Sequence, residues 1–236
     1  MKREQRIQKP FFEIGPKLYL YGRAAVELAE AADRLSVQYG VDIIFSAQYT
    51  DLEPIARKTS HIHLFAQHMD PVSPGRGIGA VLPEAIKEAG AEGVLLNHAE
   101  KPLSLGDLNR CIQRAKEVGL LTLVCAGDVR EAAAAACLEP DIILAESPAL
   151  IGKGARGPQD TEEIHRINEA VRRIDPEMPV LHGAGISDEK DVYEIIRAGA
   201  DATGSTSGIL KAENPEEMME RMIAAAAKAW KERSGS

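Results

Sequence analysis

A chain of 236 residues, 44% hydrophobic and 27% charged, carries enough apolar material for one large globular domain or two small ones. Its formal net charge of −8 argues against nucleic acid or an anionic membrane surface as the main partner. The three cysteines, Cys111, Cys125 and Cys137, show neither Cys-x-x-Cys spacing nor an even count, which argues against a disulfide or zinc framework.

No apolar run approaches bilayer-crossing length, and Met1-Lys-Arg-Glu-Gln-Arg lacks the apolar core of a signal peptide, so the expectation is a reduced, cytoplasmic protein. An anionic small substrate stays open, because backbone amides at helix N-termini hold phosphate without surface lysines.

Along the chain, short β-branched or apolar runs fall at residues 11–14, 42–46, 63–65, 93–97, 120–125, 141–145, 179–182 and 200–203. Between them lie alanine-rich stretches with apolar positions three and four apart, for example at 24–35, 108–118, 191–198 and 216–230. Gly40, Gly90, Gly119 and Gly199 stand where such helices end. Strands recurring roughly every thirty residues, each followed by a helix, predict repeated βαβ units and a parallel sheet.

Eight such units fit an α/β fold of the closed (β/α)8 type, in one domain covering 1–236, with 1–9 as an N-terminal extension and 234–236 as a tail. An open doubly wound sheet is the alternative. No Gly-x-Gly-x-x-Gly follows the first run, which weakens its dinucleotide-binding form. The longest irregular stretch, 69–80, is rich in Pro and Gly, and a loop of that length in a compact barrel is usually functional or buried in a partner.

In a barrel of parallel strands the active site gathers at the strands' carboxyl ends. Those ends carry Lys17, Gln48, Gln67, His98, Cys125 and Glu146, then two glycine-rich turns, Gly183-Ala-Gly-Ile-Ser187 and Gly204-Ser-Thr-Ser-Gly208. Glu146 is the most telling of these. It closes Asp141-Ile-Ile-Leu-Ala-Glu146, where a carboxylate has no packing use. It also opens Ser147-Pro-Ala-Leu-Ile-Gly-Lys-Gly154, a short segment suited to fold over a ligand and shed water. The bland reading is an acidic helix cap before an ordinary loop.

Lys, His and Glu form the minimum set for moving a proton beside a carbonyl. The carboxylate removes a carbon-bound proton and returns it to the neighbouring carbon, the imidazole polarises the oxygens, and the lysine offsets the enediolate charge. A packed strand-end histidine and a solvated loop lysine are the plain alternatives for His98 and Lys17. The glycine-rich turns occupy positions where such barrels hold phosphate, although Ser187 also reads as a simple N-cap. His61 and His63 share a strand face but lie at the strand's start without a third ligand, so no metal site is expected. Cys125 reads as a small packing residue, and 132–136 as a close-packing helix face.

Several of these segments resemble triosephosphate isomerase, especially its shorter archaeal-type branch. They are Asn97-His98-Ala99-Glu100, Cys125 on the fifth strand, Glu146-Ser-Pro-Ala-Leu-Ile-Gly-Lys-Gly154, Gly183-Ala-Gly-Ile-Ser187, Phe65-Ala-Gln-His-Met-Asp-Pro71 and Leu82-Pro-Glu-Ala85. The likeness runs from about Lys17 into the last helix. It implies a single-domain TIM barrel with Lys17 as substrate-binding lysine, His98 as electrophile, Glu146 as base, Glu100 supporting the lysine and 147–154 as the closing lid. Gly15, Gly152, Gly185, Ser187, Ser207 and Gly208 would surround the substrate and its phosphate.

The resemblance further implies a cofactor-free aldose–ketose isomerase of dihydroxyacetone phosphate and glyceraldehyde 3-phosphate, assembled as a homodimer or homotetramer through 69–80. The alternatives are an isomerase of another short sugar phosphate, such as a tetrulose phosphate, and a sugar-phosphate sensor. Retention of a proton-abstracting base counts against the sensor.

The departures are specific. The family usually has asparagine two residues before the lysine, its amide touching the substrate oxygens, whereas Ile14-Gly15-Pro16-Lys17 has Gly15 there. Gly15 donates no side-chain hydrogen bond, which predicts either poor triose turnover or room for something bulkier. Ser147 stands where proline is usual at the first hinge, and Lys153 replaces the threonine common in the lid.

Overall fold

The computed structural model describes residues 7–147 and 158–235. Eight parallel strands close on one another in sequence order: β1 Phe11–Ile14, β2 Asp42–Ala47, β3 His63–Ala66, β4 Gly93–Leu96, β5 Leu121–Ala126, β6 Ile142–Ala145, β7 Val180–His182 and β8 Ala202–Gly204. The barrel shuts where Phe11, Phe12 and Glu13 of β1 pair with Ala202, Thr203 and Gly204 of β8. Helices follow the strands: α1 Arg23–Tyr39, α2 Leu52–Ala56, α3 Pro83–Glu88, α4 Leu105–Val118, α5 Val129–Ala136, α6 Pro158–Arg172, α7 Glu189–Arg197, α8 Ser207–Leu210 and α9 Pro215–Ser234. The chain is a (β/α)8 barrel.

Period-two alternation builds two cores from one set of strands. Phe11, Ile44, Phe65, Leu95, Leu121, Leu123, Cys125, Ile142, Leu144, Leu181 and Ala202 fill the barrel, with Ile7 among them. Their neighbours, such as Phe12, Ile14, Val94, Val124 and Ile143, face outward and pack against the helices. The interior is layered by size: a Cβ on Gly93 would stand 2.4 Å from the Phe65 ring, so the small residue of β4 makes room for the large one of β3.

Helix boundaries follow their caps. α4 starts earlier than its apolar periodicity suggests, because the Ser104 side chain accepts from the Asp107 amide. α1 and α4 end at the left-handed glycines Gly40 and Gly119. The residues expected to form a C-terminal tail begin inside α9, whose cap is Gly235.

The amino ends of the strands carry structural polar groups. The Gln8 amide donates to Asp42, and Lys9 pairs with Asp201 at 3.4 Å. His63 lies between Asp42 and Glu92, 2.8 Å from the latter. The long connection between β3 and α3 is tied at its base, where the Asp70 carboxylate accepts from the Val81 amide and the Asp70 amide donates to the Val81 carbonyl. At its tip Ile78 is fully exposed. Among the described residues no helix is long and apolar enough to cross a membrane.

Candidate active site

The carboxyl ends of β1, β4 and β6 deliver three charged or polar groups to one place. Leu144 faces the barrel interior, and two residues further on Glu146 leaves the strand in the same direction, its amide donating to the Ala126 carbonyl. His98 follows β4 after Asn97, which takes φ 59 and is held by its side chain between the Cys125 carbonyl and the Leu103 amide. His98 Nε2 stands 3.1 Å from Glu146 Oε2, and both side chains are largely buried. Nδ1 of His98 accepts from the Glu100 amide, so in the neutral ring the proton sits on Nε2 and faces Glu146.

Lys17 also has a left-handed backbone, φ 50, and the Gln67 side chain secures that bend by donating to both the Lys17 and Ser46 carbonyls. Its ammonium meets Glu100 Oε1 at 2.8 Å. Partial burial would raise the Glu100 pKa, but the Lys17 hydrogen bond and charge hold that carboxyl below its ordinary range.

A small cavity of about 90 Å³ extends from Lys17 and Glu146 to the glycine-rich turns, lined by Gly183, Ala184, Gly185, Ser205, Thr206 and Ser207. Ala184 and Gly185 are both left-handed, with φ 61 and 66, which turns the backbone sharply at this point. A consecutive left-handed turn of this kind can present backbone amides to an anion. A larger cavity of about 350 Å³ lies on the other side, toward β2 and β3, with Gly15, Ser46, Gln48, Gln67, His98 and Glu146 in its wall.

The structure therefore brings Lys17, His98, Glu100, Glu146, Gly15, Gly185 and Ser207 to one region. Ser187 is exposed, its amide donates to Asp191, and it lines neither cavity. The N-cap of α7 is Asp188, whose carboxylate accepts two amides, rather than Ser187. Gly208 packs where a Cβ would stand 2.6 Å from the Ile186 carbonyl, so it lets α8 approach the preceding turn. Gly152 and the rest of the expected lid after Ser147 lie outside the described residues. Cys125 is a buried barrel residue whose thiol is pushed well above its ordinary pKa by burial. His63, between Asp42 and Glu92, belongs to the opposite rim.

One residue of the site escaped notice in the sequence. Glu13 lines both cavities and is buried. The signal was available: an acid in the run Phe11-Phe12-Glu13-Ile14 shares the inward face with Phe11, and a carboxyl inside a barrel has no packing use. Burial pushes its pKa up to about 7. Ser46 opposes the shift, Glu146 adds to it, and the Lys17 charge opposes it.

A carboxylate, an imidazole and an ammonium converging over a (β/α)8 barrel, beside glycine-rich turns, are the groups that proton transfer next to a carbonyl requires. The sequence pattern of the family described as triosephosphate isomerase matches residues 16–225. The triosephosphate isomerase of Methanosarcina barkeri is 38% identical over 217 residues, covering 91% of this chain and 97% of that protein. Those of Methanothermus fervidus and Sulfurisphaera tokodaii are each 36% identical, over 86% and 94% of this chain. The chain belongs to the triosephosphate isomerase family, whose chemistry is aldose–ketose isomerisation.

Proposed function

We propose that the chain interconverts dihydroxyacetone phosphate and glyceraldehyde 3-phosphate through an enediol, without a cofactor. Glu146 removes a proton from the carbon beside the carbonyl and returns it to the neighbouring carbon. No electrons leave the substrate, so the chemistry calls for no redox partner. The Nε2 proton of His98 hydrogen-bonds the oxygens on which charge develops, and the Lys17 ammonium offsets that charge. The phosphate lies against the turns at 183–185 and 205–207. The observation that carries this reading is the meeting of His98 Nε2 with Glu146 Oε2 at 3.1 Å beside Lys17 and these turns.

The same reading includes a cytoplasmic enzyme in a homodimer or homotetramer. The exposed Ile78 at the tip of the loop after β3, and the exposed Leu18, Tyr19 and Tyr21 after β1, support such an assembly. A four-carbon ketose phosphate is the second reading, favoured by the cavity of about 350 Å³ beside the reacting groups. The test is to titrate the purified chain with a phosphorylated enediolate analogue and assay trioses and tetruloses side by side. Analogue binding with triose turnover supports the first reading. Turnover of tetruloses alone supports the second, and binding without turnover of either removes both.

A further inference from the structure

Gly15 and Glu13 are physically coupled. A Cβ built on Gly15 would stand 2.8 Å from Glu13 Oε1, so the space a side chain at 15 would need holds the Glu13 carboxyl. Gly15 has no left-handed backbone that would demand glycine, and its open face is where the Glu13 carboxyl sits. The Glu13 carboxyl therefore takes up part of the expected extra room above Gly15. Gly204 makes the complementary concession from the other side of the barrel seam, since its Cβ would stand 2.4 Å from the Glu13 carbonyl oxygen and 2.9 Å from Glu13 Cβ. Glycine at 15 and at 204 thus leaves room for Glu13, carboxyl and backbone, in the floor of the site.

The surroundings of that carboxyl are those of a binding group. Lys17, Glu100 and Glu146 share both cavities with it, and His98, Lys101 and His68 stand in the wall of the larger one. Ser46, on β2, is near enough to favour the ionised form of Glu13, yet its buried Oγ makes no hydrogen bond of good geometry. A hydroxyl so placed can turn to Glu13 or to a ligand. Glu13 and Ser46 together offer a hydrogen-bonding pair beside the reacting groups.

We propose that Glu13 is a substrate-contacting residue, whose carboxyl hydrogen-bonds the substrate's oxygens from the space that a side chain at 15 would otherwise fill. This rests on the isomerase reading above. As a carboxylic acid Glu13 both donates and accepts, and it leaves Glu146 as the lone anion of the pair. Once ionised it only accepts, and it places a second negative charge beside Glu146 and the developing enediolate. The active form therefore carries the proton on Glu13, and activity falls as that proton is lost.

The experiment measures kcat and KM for dihydroxyacetone phosphate from pH 6 to 9. It compares the wild-type chain with Glu13→Gln, Glu13→Ala, Gly15→Asn and the double variant Glu13→Ala with Gly15→Asn. Glu13→Gln, near-isosteric and unable to ionise, lowers kcat/KM less than Glu13→Ala at pH 6 and loses the alkaline decline that begins near 7 in the wild type. Glu13→Ala lowers kcat/KM by about ten- to a hundredfold. Gly15→Asn alone also lowers it, because the amide displaces the carboxyl. The double variant exceeds both single ones, since the amide then enters the space the carboxyl has left. Wild-type kinetics in Glu13→Ala, or an unchanged alkaline limb in Glu13→Gln, overturns the proposal and leaves Glu13 a buried structural acid. A wild-type chain that does not turn over the triose removes the isomerase reading itself, a failure seen before any variant is compared.

Discussion

His98 Nε2 and Glu146 Oε2 stand 3.1 Å apart, although they come from the ends of β4 and β6. The groups assigned as electrophile and base touch before a substrate separates them, and a bound carbonyl has to replace each as the other's partner. Because the Glu100 amide fixes the ring through Nδ1, the Nε2 proton has one direction to go. Replacing His98 by Asn removes that donor at the position where negative charge develops. The expected loss is about a hundred- to a thousandfold in kcat with a much smaller change in KM, measured by steady-state kinetics. An increase confined to KM would assign His98 to binding alone.

Lys17 and Glu100 pair at 2.8 Å, with 24% and 59% of their side chains exposed. An ion pair this open contributes little by itself, so the expected use of Glu100 is to aim the ammonium. Lys17→Met is expected to abolish measurable turnover, whereas Glu100→Ala lowers kcat/KM by less than about tenfold, roughly the worth of one exposed pair. Equal losses in the two variants would show that Glu100 itself meets the substrate.

The opposite rim predicts a stability effect without a catalytic one. Burial would lower the His63 pKa, but the hydrogen bonds and charges of Asp42 and Glu92 outweigh it and push it up to about 9. A folded-state pKa raised above the ordinary value of 6.5 contributes stability that is full below pH 6.5 and is lost as pH rises through about 9. Denaturant unfolding of the wild type and His63→Asn should therefore differ by up to a few kcal/mol at pH 6 and converge in their pH-dependent part by pH 10. Turnover at pH 7 should stay unchanged. A gap that widens with pH would contradict the pairing.

Assembly is testable at one residue. Ile78 is fully exposed at the tip of a loop whose base is fixed by Asp70 and Val81. Ile78→Asp should shift the chain toward monomer in light scattering at micromolar concentration while leaving its circular dichroism spectrum intact. A wild-type chain that is monomeric and fully active would remove the proposed dimer or tetramer.

The barrel was legible because its strands are short apolar runs and its helices carry three- and four-residue periodicity, two periods that do not mimic each other. Boundaries shifted where a polar side chain outside the pattern sets the end, as Ser104 does for α4. Lys17, His98 and Glu146 were readable as polar residues placed just past apolar strands. The role of Gly15 was not, because it depends on the position of Glu13 Oε1 two residues earlier, which periodicity does not supply. Glu13 itself could have been found by asking which residue of β1 shares the inward face with Phe11. Ser46 needed the fold, since a serine inside β2 looks the same whether it packs or binds.

Glu146→Asp tests the central assignment most directly. The substitution keeps the carboxylate and withdraws it by one methylene, and a misplacement of about 1 Å costs on the order of a hundredfold. With dihydroxyacetone phosphate as substrate, kcat should fall by at least about that factor, while circular dichroism and binding of the phosphorylated enediolate analogue show a folded, competent site. Turnover at the wild-type rate would contradict the assignment and give the proton transfer to another group.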